Sequence, residues 1–187
     1  MRIIAGKHKG RRIEVGKDAT TVRPTSEFAR EAIFNILNHS KHTQGENPFI
    51  GKPVLDVFCG SGALGLEALS RGAASVTFID NAREAIATVR HNTTRMNELE
   101  NADFLSMDAT KLPRSRKIYS LVFLDPPYFS KLIVPTLESL RAGVWIEAGS
   151  LLIVEHDEKE TITLPEGFAL LDERRYGRAK VSLIRLQ

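Results

Sequence analysis

The chain has 187 residues, 42% of them hydrophobic and 26% charged, which suits one compact domain with a sizeable core. No apolar run reaches transmembrane length, no secretory signal opens the chain, and the single cysteine, Cys59, excludes an intrachain disulfide framework and a multi-cysteine zinc site. The net charge of +3 is concentrated at one end: residues 1–30 carry eight Lys or Arg against three Asp or Glu, so the remainder nets to −2. A cytoplasmic protein without membrane or metal is expected, with a basic terminal segment that either meets phosphate-bearing partners or serves as a solvated arm.

Residues Arg2–Ala5, a turn-like Gly6–Gly10 and Arg11–Val15 predict a basic β-hairpin that projects from the body, with Arg2, Lys7, Lys9, Arg11 and Arg12 at its tip and flanks. Arg23-Pro24-Thr25 breaks the chain, and Ser26 to about His39 carries Phe28, Ala29, Ile33, Ile36 and Leu37 at helical spacing for one buried face. The polar stretch Lys41–Pro48 reads as a loop. Short apolar runs then alternate with helical segments. Strands are predicted at Val54–Phe58, Ser75–Asp80, Asp103–Asp108, Leu121–Asp125 and Leu151–His156, and helices at Ala63–Ser70, Ala82–Leu99 and roughly Leu132–Arg141. This alternation is the mark of a parallel sheet with crossover helices. Phe168–Tyr176 and Lys180–Leu186, joined through Gly177 with no room for a crossover helix, pair antiparallel and complete a seven-stranded α/β sheet. The expected organisation is a single unit over 1–187: a hairpin extension (1–22), a helix and loop (23–50) and a Rossmann-like core (51–187).

In an open α/β sheet, ligands sit outside the carboxyl ends of the strands. Here those ends are acidic: Asp56 lies in the first strand, Asp80 ends the second, Asp108 the third and Asp125 the fourth. Asp56 leads into Phe58-Cys59-Gly60-Ser61-Gly62-Ala63-Leu64-Gly65, a G-x-G-x-x-G loop with Asp80 twenty residues past Gly60, a spacing shared with dinucleotide-binding proteins. Ligand charge separates the two readings. Asp56 would repel a pyrophosphate but suits the cationic methionine end of S-adenosylmethionine. Asp80 accepts from ribose hydroxyls in either case, and Asp108, followed by Ala109, is placed to accept from the adenine amine. Each aspartate singly also fits a cap on the helix or turn that follows it. Cys59, with no histidine nearby in sequence, reads as packing rather than a nucleophile.

Asp125-Pro126-Pro127-Tyr128 directly follows an apolar strand. Two prolines cannot continue sheet pairing, so they impose a rigid exit. The Asp125 carboxylate and the Pro126 carbonyl then form an acceptor pair for the two N–H hydrogens of an exocyclic amine. Holding both favours a pyramidal nitrogen whose lone pair is redirected toward a methyl donor, which is catalysis by orientation and preorganised electrostatics. Tyr128 offers a flat face for an extruded base. The plainer reading is a Pro-Pro turn with Tyr128 as a rim aromatic.

Arg2 to Arg12, Arg23-Pro24-Thr25 with Arg30 to Leu37, Val54 to Ala73, and Leu121 to Tyr128 together make the sequence resemble the bacterial 16S rRNA (guanine-N2)-methyltransferase family, the RsmD type, over nearly the whole chain. The glycine loop and Asp-Pro-Pro-Tyr specify only the broad class; the N-terminal segment points to the family. The resemblance implies a Rossmann-like class I methyltransferase fold and N2 methylation of a guanine in small-subunit rRNA. The cofactor it implies is S-adenosyl-L-methionine, held by Asp56, Phe58, Gly60, Ser61, Gly62, Asp80, Asp108 and Ala109. Asp125, Pro126, Pro127 and Tyr128 would then lie at the target amine, and Arg2, Lys7, Lys9, Arg11, Arg12 and Arg23 on RNA. The partner would be 16S rRNA or a small-subunit assembly intermediate, met by a monomer. Cys59 stands where the family more often has alanine, Asp80-Asn81 replaces a glutamate–lysine pair, and Ser120 replaces an aspartate.

Three alternatives compete. An adenine-N6 DNA methyltransferase uses the same tetrapeptide but normally needs a separate recognition region, and only ~50 residues precede the core, few beside an ordinary domain. An NAD-dependent oxidoreductase leaves Asp56 and the double proline unexplained. A non-catalytic RNA-binding module leaves the complete acceptor set unexplained.

Overall fold

The computed structural model describes residues 1–16, 27–39 and 47–187; Arg23, the start of the first helix at Ser26 and most of the Lys41–Pro48 loop lie outside them. Seven strands form one sheet: β1 (Pro53–Val57), β2 (Ser75–Asp80), β3 (Ala102–Ser106), β4 (Leu121–Leu124), β5 (Leu151–Asp157), β6 (Phe168–Tyr176) and β7 (Ala179–Leu186). Their order is β3-β2-β1-β4-β5-β7-β6, with β1 to β5 parallel and β7 antiparallel to both β5 and β6. This is the expected Rossmann-like sheet with a C-terminal hairpin. The chain order reverses between β1 and β4, and in sheets of this kind the carboxyl ends of the two strands at such a reversal are where ligands bind.

Among the described residues four α-helices cover the sheet: α1 (Glu27–His39), α2 (Ala63–Ser70), α3 (Arg83–Arg95) and α4 (Ile133–Ala142). Val54, Phe78, Phe123 and Ile153 point to one face, where α1 and α2 pack, and Leu55, Val122, Leu124 and Leu152 point to the other, under α4 and Trp145. Strands buried on both sides account for the continuous apolar runs that made them readable. α3 stops at Arg95, short of the expected Leu99, because Asn97 turns left-handed (φ 57) and Glu98 is drawn into contacts elsewhere.

Two expectations change. Phe28, predicted on the buried face of the first helix, is 69% exposed, while Arg30 is fully buried among Ala29, Ile33, Phe34 and Leu37. Phe28 lies in the first turn, beyond the edge of the core. The N-terminal hairpin exists, with Ile3 N–H donating to Arg11 O and Gly10 N–H to Ile3 O, both at 2.9 Å, but it does not project. Ile3 and Ile13 are buried in the core, and the Glu67 carboxylate of α2 accepts from the Ile4 and Ala5 amides at 2.8 and 2.9 Å. A buried carboxylate needs such partners, and the hairpin backbone supplies them.

Candidate active site

Asp56, in β1, is 2% exposed and its Oδ2 accepts from Gly65 N–H at 2.8 Å. It thereby satisfies one of the amides left without an intrahelical partner in the first turn of α2. Gly65 has no room for a side chain: a Cβ there would stand 2.4 Å from the Phe78 ring. The third glycine of the loop therefore serves close helix–sheet packing. Gly60 (φ 51) differs, since nothing lies within 4 Å of where its Cβ would be. Phe58 at the loop's start also has a left-handed backbone (φ 60), uncommon for so bulky a residue.

Asp80, closing β2, spans two turns: Oδ2 accepts from Gly60 N–H at 3.0 Å and Oδ1 from Ala82 N–H at 2.9 Å. Two of the roughly four lone-pair sites of a carboxylate are thus engaged, which leaves acceptor capacity for hydroxyls. Asp108 caps the short 3-10 turn Ala109–Lys111, its Oδ1 accepting from both N–H (2.9 Å) and Oγ1 (2.7 Å) of Thr110, and these bonds hold its carboxyl below the usual range. The capping reading of that aspartate is what the geometry displays, and Ala109 beside it is buried. Ser61 presents its carbonyl to the Asn92 amide of α3 at 3.0 Å.

Asp125 leaves β4 next to β1, its N–H 3.4 Å from Val57 O. Pro126 is buried and Pro127 exposed. The Pro127 carbonyl accepts from Ser130 N–H at 3.2 Å, whereas the Pro126 carbonyl makes no hydrogen bond among the described residues. Two side chains from the β5 end fix this turn: the Tyr128 hydroxyl donates to Glu155 Oε1 at 3.0 Å, and Phe129 N–H donates to Glu160 Oε1 at 2.9 Å. Burial, and then the negative charge of Glu155, push the Tyr128 phenol well above its ordinary range, so it stays a neutral donor. Neither glutamate stood out in the sequence; only the pairing of β5 beside β4 brings them to the turn.

The carboxylates of Asp80 and Asp125 bear on that of Asp56. Burial raises the Asp56 carboxyl well above its usual value; the Gly65 amide opposes the shift, and the negative charges of Asp125 and Asp80 add to it. Burial likewise raises the Cys59 thiol, leaving it inert. A site that gathers carboxylates beside bare glycine backbone fits a cationic ligand and disfavours a pyrophosphate. Among the described residues no group of three His, Cys, Asp or Glu is set to hold a metal ion.

The basic hairpin lies at the other end of the sheet. Lys7 and His8 amides donate to the Ser70 carbonyl and hydroxyl, at 2.8 and 3.0 Å, where α2 ends. An eight-residue helix separates that point from the glycine loop by ~12 Å. Lys7 Nζ lies 2.6 Å from Glu98 Oε1, which makes it an internal anchor. Lys9 and Arg12 are exposed, Arg2 N–H is held by Glu27 at 2.9 Å, and Arg11 bonds the Arg95 carbonyl that ends α3.

The family model described as "Conserved hypothetical protein 95" matches residues 1–185. The chain is 33% identical over 181 residues to ribosomal RNA small subunit methyltransferase D of Haemophilus influenzae, covering 95% of this chain and 89% of that protein. It is 31% identical over 191 residues to the protein of the same name in Escherichia coli K12, covering 98% and 88%. Among solved structures, a putative methyltransferase yhhF from Escherichia coli superposes with a TM-score of 0.80 at 30% identity, covering 100% of this chain and 98% of that one.

Proposed function

The chain belongs to the family described as conserved hypothetical protein 95, and from that premise we propose that it is an S-adenosylmethionine-dependent methyltransferase that modifies the N2 amine of a guanine in 16S rRNA. The observation that carries this reading is the rigid Asp125–Tyr128 turn, which stands beside the glycine loop at the switch between β1 and β4. Asp56 and Asp80, with the Phe58–Gly62 backbone, would hold the cofactor, and Asp108 with Ala109 would meet its adenine. The cofactor supplies the electrophilic methyl group on a sulfonium.

The protein's part is orientation. Asp125 and the Pro126 carbonyl accept the two N–H hydrogens of the amine, which frees its lone pair from the ring. Tyr128, fixed through its hydroxyl by Glu155, presents its ring for the base to stack on. A strong base is not required, because the turn is already locked by Glu155 and Glu160 before substrate arrives. Exposed Lys9 and Arg12, with Arg2 and Arg11, would meet RNA phosphates remote from the target base, in a cytoplasmic setting where small-subunit RNA or an assembly intermediate is available. Arg23 belongs to the same proposal from its charge alone.

The test uses purified enzyme and labelled methyl donor on small-subunit rRNA from cells lacking the gene, beside unmodified DNA, followed by nucleoside digestion. N2-methylguanosine should carry the label, and Asp125→Ala should lose turnover by at least ~10³-fold while retaining donor binding. Label confined to DNA, or to another nucleoside, would overturn the assignment.

A further inference from the structure

The sheet face on which Tyr128 meets Glu155 continues past the catalytic turn. In register, Glu155 of β5 stands opposite Val181 of β7, and Val181 opposite Arg174 of β6; one row further on come Asp157, Ala179 and Tyr176. Residues in register across a sheet point to the same side, and neighbouring strands lie ~4.8 Å apart. Arg174 and Tyr176 therefore share the face of Glu155, about 10 Å from it along the hydrogen-bonding direction. α1 begins over the same face. Its Phe28 meets Tyr176 edge-on with ring centroids 5.9 Å apart, yet stays 69% exposed.

Two arginines of the same hairpin lie beside Tyr176 in sequence, and Arg174 also bonds the Tyr176 side chain. Arg178, with its side chain 60% exposed, reaches back to the fully buried Asp157, Nε to Oδ2 at 2.5 Å. Arg174, half exposed, places Nε and Nη2 each 3.0 Å from Asp172 Oδ2. A guanidinium has five N–H donors, so each ion pair orients its arginine and leaves donors over. The part-exposed Arg174–Asp172 pair contributes little on its own and does not outcompete a phosphate, whereas Arg178 offers only the donors that Asp157 leaves over.

An exposed ring backed by a half-buried one, with oriented arginines beside them, supplies what single-stranded RNA requires: a stacking surface for splayed bases and planar donors for phosphate. We propose that Phe28, Tyr176, Arg174 and Arg178 form a platform that receives the RNA nucleotides flanking the target base. The platform rests on the rRNA methyltransferase reading above. It makes the C-terminal hairpin, at the catalytic end of the sheet, the RNA-docking element nearest the chemistry, with the N-terminal hairpin contributing at the far end. A second copy of the chain is the competing occupant, but two rings and two arginines fall well short of the ~1,000 Å² that a stable dimer buries.

The full-length protein tests this with Phe28→Ala and Arg174→Gln. Arg178 is left in place because the buried Asp157 depends on it. Small-subunit rRNA from cells lacking the gene serves as the probe, in filter binding across a salt series and in methyl-transfer kinetics, with calorimetry of S-adenosylmethionine alongside. Each variant should weaken RNA binding and raise the RNA KM by about tenfold, with kcat and donor affinity within about twofold. Arg174→Gln should also flatten the salt slope by roughly one. RNA affinity, KM and salt slope unchanged in both variants, or loss of a dimer with RNA binding intact, would overturn the platform alone. Wild-type enzyme that labels only DNA would overturn the rRNA reading and the platform with it.

Discussion

Alanine at Gly65 places its Cβ 2.4 Å from the Phe78 ring, 2.8 Å from a Val76 methyl and 2.9 Å from Asp56 Oδ2. None of the three can yield: Phe78 and Val76 are fully buried, and Phe78 is stacked on Phe104 with centroids 5.6 Å apart. Overpacking of this kind costs about 1–3 kcal/mol. Displacing α2 also stretches the Gly65 amide from the Asp56 carboxyl, and a buried donor left unsatisfied costs ~1–3 kcal/mol, while the higher helix propensity of alanine returns ~1 kcal/mol. The balance is a loss of about 3 kcal/mol, or roughly 10 °C in Tm for a chain of this size. Alanine at Gly60 meets no atom within 4 Å, so only its left-handed backbone (φ 51) opposes it, at ~1–2 kcal/mol and a few degrees. That open space is where the bare loop would meet a ligand. Gly60→Ala should therefore remain folded and lose donor affinity by about tenfold or more, the contribution of a few close contacts. Scanning calorimetry and titration with S-adenosylmethionine measure both quantities. A Gly65→Ala variant melting within about 2 °C of wild type would refute the packing account, and a Gly60→Ala variant that binds the donor normally would show that the space is not the ligand's.

Two further outcomes follow from the charges. Asn at Asp56 keeps an acceptor for Gly65 N–H but removes a buried negative charge; a carboxyl whose folded pKa is raised loses stability as pH climbs through that value, so Asp56→Asn should melt higher than wild type at neutral pH, with the gap closing in acid, while binding the cationic donor less tightly. A variant destabilised at neutral pH would contradict this. Glu98 is the opposite case: burial alone would raise its carboxyl, but hydrogen bonds from His8, Lys7 and Asn101 hold it below its usual value, so its contribution is present above the ordinary carboxylate range and fades as pH falls through the lowered pKa. Glu98→Gln should cost ~1–3 kcal/mol at neutral pH, flatten the acid limb of the stability curve and speed amide exchange at residues 6–9; unchanged exchange there would show that the anchor is idle.

Strands and helices were legible because a sheet covered on both faces writes itself as apolar runs separated by glycine and polar turns, and most boundaries agree within one or two residues. The aspartates and the double proline were legible for a related reason: local chemistry at strand ends identifies itself. Contacts between distant positions were not. Glu155 and Glu160, which lock the Asp125–Tyr128 turn, lie 27 and 31 residues from their partners, and Lys7 looked free until Glu98, three residues beyond α3, was seen to hold it. Phe28 matched the helical period yet lies outside the core, since periodicity gives a face and not how far the covering sheet extends. One clue was available. Glu67 interrupts the otherwise apolar Ala63–Ser70 helix, and a charge in such a place requires buried partners, here the Ile4 and Ala5 amides, Arg71 and Arg30.

Those partners give the N-terminal segment a second purpose beside any RNA contact. Asn92 of α3 is 2% exposed and uses its whole amide: Oδ1 accepts from Glu14 N–H at 2.9 Å, and Nδ2 donates to Glu14 O at 2.9 Å and to Ser61 O at 3.0 Å. One side chain thus couples the hairpin to the glycine loop, while Glu67 couples the same hairpin to the helix that this loop begins. Each backbone group left unpaired there would cost ~1–3 kcal/mol, as much as several exposed lysines contribute on a phosphate backbone. The hairpin backbone is therefore held by the demands of the glycine loop, and its outward cations, Lys9 and Arg12 above all, are what it leaves for the proposed RNA contact.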